Sequence, residues 1–115
     1  MPHDIPGFLL LSKGAVLGRI QFSHEDWPWN YGKFFPAEPF RDVEELFRRD
    51  ASLLALGDSP AEMEERDAAT RQIVDLELEL HHATGGALAG EPDLLHIRGD
   101  EVWWRGFSGA LRGAV

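Results

Sequence analysis

Leu94-Leu95-His96-Ile97-Arg98-Gly99-Asp100-Glu101-Val102-Trp103-Trp104-Arg105 is the stretch on which the fold turns. Two β-prone runs, residues 94–98 and 101–107, are separated by two residues. Glycine at the first of these suits a type II′ hairpin turn. The turn sets the register. Arg98 stands opposite Glu101, Ile97 opposite Val102, His96 opposite Trp103 and Leu95 opposite Trp104. Side chains alternate along a strand, so Leu95, Ile97, Val102 and Trp104 share one face, the expected core side. Leu94, His96, Arg98, Glu101, Trp103 and Arg105 share the other, which is mixed in character.

Upstream of this hairpin, residues 84–92 are rich in glycine and proline and read as a loop. Before it, Leu76, Leu78 and Leu80 alternate with Glu77 and Glu79. Leu76 and Leu80 alone would suit a helix. Leu78 would then point away from both, so a strand over about 76–82 is the better reading.

The middle of the chain is helical in pattern. Phe40, Val43, Phe47, Ala51 and Leu54 recur at spacings of three and four, with Pro39 in the first turn and Gly57 as a C-terminal cap. Ser59, Pro60 and Glu62 then form a capping box that opens a second helix. Its main apolar groups are Met63, Ala69, Ile73 and Val74, so it should lie at the surface.

At the other end, residues 8–11 are apolar and Gly14 suits a tight turn. Val16, Ile20 and Phe22 then share one face, with Leu17 on the other. Pro28 between two tryptophans breaks the pattern over 24–30, and residues 31–35 form a third strand up to Pro36. The order β-β-β-α-α-β-β-β predicts an α+β fold. Its antiparallel sheet has about six strands, with two helices on one face. At 115 residues the chain suits one domain spanning 1–115, with residues 1–6 and 108–115 loosely ordered.

Composition narrows the function classes. With no cysteine, disulfides, thiol catalysis and zinc fingers are excluded. No apolar run approaches a membrane span, and residues 1–7 carry His3 and Asp4 where a secretory leader needs basic residues, so a cytoplasmic location is expected. The net charge is −9. Between Glu38 and Leu80 there are 13 acidic and 5 basic residues, a local −8. Such a surface repels phosphate, so neither nucleic acid nor membrane is an expected partner. It allows a basic protein, and also a solvated helix face kept for solubility.

Candidate sites are few. His24, Glu25 and Asp26 are three consecutive titratable groups beside Trp27, and carboxylates near apolar rings can act as acids or bases. In a turn, Asp26 can equally serve as a backbone cap. His81 and His82 point to opposite faces of a strand and cannot chelate one ion together. No metal and no cofactor are expected, because ligand spacings, phosphate loops and dinucleotide fingerprints are absent from the sequence. Trp27, Trp29, Tyr31, Phe34 and Phe35 form the densest aromatic cluster, either core or binding surface.

Within residues 24–47, the run E-D-W-P-W-N-Y-G-K-F-F-P-A-E-P-F-R-D-V-E-E-L-F resembles a group of short bacterial proteins. They carry an acidic residue, a Pro-aromatic pair, G-x-F-x-P and F-x-x-V-x-x-L-F. Leu94 to Asp100 is similar to their terminal hairpin. The resemblance covers about two fifths of the chain. It implies that both ends belong to one domain, and it implies no activity.

The expected function is therefore a non-catalytic protein-binding module of immunity or accessory type. The alternatives are a small enzyme using His24, Glu25 or Asp26, and a homodimeric structural subunit. The expected binding surface is the sheet face away from the helices. It carries Trp103, His96, Leu94 and Arg105, with Leu10 and Leu17 beside them; Trp27 and Trp29, of the aromatic cluster, are further expected binding residues.

Overall fold

The computed structural model describes residues 7–54, 59–92 and 94–105. It is an α+β fold of two helices and one curled, antiparallel, seven-stranded sheet. The strands are β1 (Gly7–Ser12), β2 (Ala15–Asp26), β3 (Trp29–Pro36), β4 (Leu78–His82), β5 (Leu88–Gly90), β6 (Leu94–Arg98) and β7 (Glu101–Arg105). The helices α1 (Glu44–Leu53) and α2 (Pro60–Val74) lie between β3 and β4. The sheet order is β5-β4-β1-β2-β3-β7-β6, so β2 is central, the chain's first strand is interior beside it, and β5 and β6 are the edges among the described residues.

The terminal hairpin has the register that Gly99-Asp100 dictates, from Arg98 opposite Glu101 to Leu94 opposite Arg105. Gly99 has φ +62 and Asp100 is not left-handed, which is the II′ combination. Leu95, Ile97, Val102 and Trp104 are all buried, as that register requires. Trp104 is completely enclosed, with Phe8 edge-on at 6.0 Å and Phe22 edge-on at 6.5 Å. Leu10, Ile20, Phe34 and Leu80 complete the inner face. The helical layer seals it through Phe40 and Phe47, with Phe34 and Phe40 in edge contact at 4.9 Å. α2 begins at the expected capping box, the Ser59 hydroxyl accepting from the Glu62 amide. Its buried residues are Ala69 and Ile73; Met63 and Val74 are exposed.

Several local expectations are corrected. The seventh strand, β5, lies inside the segment read as a loop. Three residues are too few to display a period, and β5 is held by pairing with β4. The segment 24–30 is not a break. β2 runs on to Asp26 and β3 starts at Trp29, so Pro28 sits in a two-residue connection, its bond to Trp27 cis, outside any ladder. Residues 38–42 form a 3₁₀ turn before α1, because Val43, at φ −121, interrupts the helical run. β4 starts two residues late: Glu77 is left-handed at φ +51, so Leu76 and Glu77 make the corner.

The face expected to be open is also corrected. Leu10 pairs with Leu80 and is buried with it. Leu17 is an extra residue in β2: Leu10 pairs with Gly18 and Leu11 with Val16. The bulge turns Leu17 inward and leaves Val16 exposed, reversing the alternation upstream of Gly18. Gly57 as a cap, Phe107 as strand, and residues 1–6 and 108–115 as loose ends lie outside the described residues.

Candidate functional site

Two arrangements carry chemistry, and they meet at His96. The first is built by register. On the outer face, His24 pairs with Tyr31, Tyr31 with Trp103, and Trp103 with His96. Directly opposed residues project on the same side of a sheet. Four rings therefore form one continuous row across β2, β3, β7 and β6. His24 and Tyr31 stack at 4.7 Å with planes 5° apart. Trp103 and His96 are 5.4 Å apart, and Trp29 lies 5.9 Å from His96. Tyr31, Trp29 and Trp103 are half-buried, so each keeps an exposed part. Trp27, at the tip of the β2–β3 hairpin, is 72% exposed.

The charge around this row is positive. Arg98 lies over the Trp103 ring at 5.5 Å, and Arg19 and Lys33 lie over Phe35 at 5.5 and 5.6 Å. Arg105 opposes Trp29. Glu101, Asp26 and Asp100, the last 3.8 Å from Lys33, are the acids at this face, so Arg19, Lys33, Arg98 and Arg105 outnumber them by one. The acidic surplus belongs to the helical segment on the other side of the sequence.

The second arrangement was not legible as a site. Asp50, on α1, and His96, on the edge strand β6, form a buried pair. Asp50 is 4% and His96 8% exposed, with Nδ1 to Oδ2 at 2.6 Å. The imidazole N–H at Nδ1 donates to the carboxylate oxygen. This corrects the expectation that His96 belongs to an open binding face. Among the described residues no strand lies beyond β6, and α1, which packs on that strand, reaches a side chain that the sheet alone would leave outside. Asp50 itself falls on the apolar stripe of α1, three residues after Phe47 and one before Ala51. A carboxylate at a core position of a helix was the available signal, because a buried charge needs a partner.

Asp50 and His96 line a cavity of about 410 Å³ between α1, α2, β4 and the β5–β6 connection. Ile73, Val74, Leu78, Leu94 and Leu95 supply its apolar wall, and Glu77, Glu79 and Glu91 its acids. Leu94 is thus half-buried at this cavity and is not part of a free face. A comparison of the chain with protein-family models, curated proteins and solved structures gives no match.

The remaining candidates are placed as follows. His24, Glu25 and Asp26 are exposed strand residues, with His24 and Asp26 on the ring-bearing side and Glu25 on the reverse. His24 Nδ1 is 3.0 Å from the Ser23 hydroxyl. His81 has both ring nitrogens against acceptors, Nδ1 at 3.0 Å from the Gly86 carbonyl and Nε2 at 2.8 Å from Glu79. Two acceptors favour the doubly protonated ring. The Gly86 carbonyl first, then Glu79, hold its pKa above the ordinary 6.5. Among the described residues no three His, Asp or Glu side chains are grouped as a metal site, and no helix is long and apolar enough to cross a membrane.

Proposed function

We propose that the protein is a non-catalytic binding module that docks on an acidic protein surface through the outer face of its sheet. The accessible part of the row, His24, Tyr31 and Trp103, with Trp29 on the same face, carries this reading. Half-exposed aromatic rings next to arginine are the composition of interface hot spots. Trp27 extends that surface at the hairpin tip. The positive balance of Arg19, Lys33, Arg98 and Arg105 on the same face sets the sign of the partner, since complementary charge steers encounter and rejects wrong partners. An immunity-type module that neutralises a basic toxin would instead use the acidic helices, the opposite side of the fold.

A photoreactive benzoylphenylalanine at position 27, irradiated in cells, tests the reading. The expected result is one discrete adduct with a second, acidic protein. The adduct disappears when Arg98→Glu and Arg105→Glu are added, while circular dichroism stays unchanged. Adducts only with the chain itself would replace the acidic partner by a second copy. No adduct, or one indifferent to the charge reversals, would remove docking through this face.

A further inference from the structure

His81 stands where β4 meets the edge strand β5, and its ring is gripped on both sides. Nδ1 is 3.0 Å from the Gly86 carbonyl and Nε2 is 2.8 Å from the Glu79 carboxylate. A carbonyl can only accept, and so can an ionised carboxylate. Two acceptors call for two N–H groups, and only the imidazolium has both. The ring is thereby tied to its own strand through Glu79 and to the turn beyond through Gly86.

That turn is what keeps β5 in place. β5 spans only Leu88–Gly90, and it meets β4 where Leu80 faces Gly90 and His81 faces Leu88, with an irregularity in between. Two backbone hydrogen bonds close the turn. The His82 amide donates to the Ala87 carbonyl at 2.7 Å, and the Gly86 amide to the His82 carbonyl at 2.8 Å. Apolar burial adds little, since Leu88 is exposed and Ala89 is small. The charges that act on the ring are equally few. β1, on its other flank, has no titratable residue over Gly7–Ser12, and residues 83–90 of the turn and β5 have none. Arg19, one strand further along the same row, is turned over Phe35. His82 lies against Phe8 on the opposite face. Glu79 is the charged group in contact with the ring.

We propose that protonated His81 is a clamp on this edge of the sheet: it ties β5 to β4, and loss of its proton to solvent releases β5. The neutral ring has one N–H. The ionised Glu79 is the stronger acceptor and keeps it, so the Nδ1 lone pair faces the Gly86 carbonyl and the turn loosens. The clamp is fully set below the free ring's value of about 6.5. It is lost as pH rises through the folded value, which the same two acceptors raise. Release bares the edge of β4, and an unpaired edge is where another extended chain can add. The device sits at the end of the sheet away from β6 and β7, and it does not depend on docking through the aromatic row.

Amide hydrogen exchange on the full chain, followed by NMR from about pH 5 to about pH 9, tests the clamp across the titration of the ring. Each rate is divided by that of an unstructured peptide at the same pH, and the His81 ring is titrated in the same samples. The Gly86 and His82 amides are expected to lose protection as the ring titrates, levelling off at its folded pKa. By linkage, the fold loss equals the ratio of the ring's acid constants in the open and closed forms. Low urea leaves this exchange unchanged while it speeds that of Leu10, because releasing β5 exposes little surface. Glu79→Gln, which keeps an acceptor and removes the charge, lowers the ring pKa and moves the levelling-off point with it. His81→Gln abolishes the transition and leaves protection low at every pH. Protection that ignores the ring's titration, a loss that survives in His81→Gln, or Gly86 exchange as urea-sensitive as that of Leu10 overturns the clamp.

Discussion

At the residue scale, the most consequential contact is the buried pair of Asp50 and His96. Removing one partner of such a pair strands the other in the interior, which costs more than the pair itself contributes. Asp50→Ala is therefore expected to lower unfolding stability by about 3 kcal/mol. Asp50→Leu combined with His96→Leu should be clearly less damaging, because both polar groups leave together. Urea denaturation of Asp50→Ala, Asp50→Leu, His96→Leu and the double leucine variant checks this; a double variant as unstable as the sum of its two leucine singles would show that the pair is not coupled. His81 gives the corresponding pH effect. Its folded pKa is raised, so its contribution is fully present below the unfolded value of about 6.5 and fades as pH rises through the higher folded value. His81 should titrate above the ordinary 6.5 by NMR, and His81→Gln should flatten the decline in stability above neutrality.

At the element scale, the terminal hairpin was legible and its neighbours were only partly so. Gly99 dictated its own turn, and the turn then determined every partner down to Leu94. Ser59, Pro60 and Glu62 likewise announced α2 through local hydrogen bonding. What stayed hidden depends on contacts made across the sequence. β5 exists because β4 offers it an edge. Leu17 turns inward because the chain fits one more residue into β2 than into β1. Asp50 stood in the apolar stripe of its helix, but its partner lies 46 residues away, beyond any local pattern. The aromatic row was half legible: Trp103 beside His96 followed from the turn, whereas Tyr31 and His24 joined only once β3 paired with β7. The same hairpin carries a stability prediction. Trp104 is fully enclosed and Trp103 half-exposed. Trp104→Ala should cost roughly 3–5 kcal/mol and Trp103→Ala clearly less. Thermal and urea midpoints that reverse this order would mean that the hairpin register is off by one.

At the scale of the whole molecule, the sheet order sets a gradient of stability. β1, β2 and β3 each have two hydrogen-bonded neighbours, and β5 and β6 have one. Local opening is easiest where few contacts must break. Amides of Leu10, Ile20 and Phe34 should therefore exchange last with solvent and those of Leu88 and Ala89 first. Exchange of β1 as fast as β5 would contradict the interior place of β1. The two sides of the molecule also differ in charge, with acids concentrated on the helices and cations on the outer sheet face. That polarity is a property of the assembled sheet: in the linear sequence Arg19, Lys33, Arg98 and Arg105 are scattered.

The place of β1 between β2 and β4 has a consequence for how the protein is made. β1, β2 and β3 follow one another and can pair as soon as Pro36 has left the ribosome. The partner for the other side of β1 is not synthesised until His82. For the few seconds in which the helices are being translated, Leu9 and Leu11 sit on a nascent meander whose outer rail is unpaired. Such a rail is a template for any other extended chain nearby. Crowded translation, as on polysomes during overexpression, is then the moment of greatest hazard for this protein, and slowing initiation should improve its soluble yield more than lengthening the time allowed for refolding.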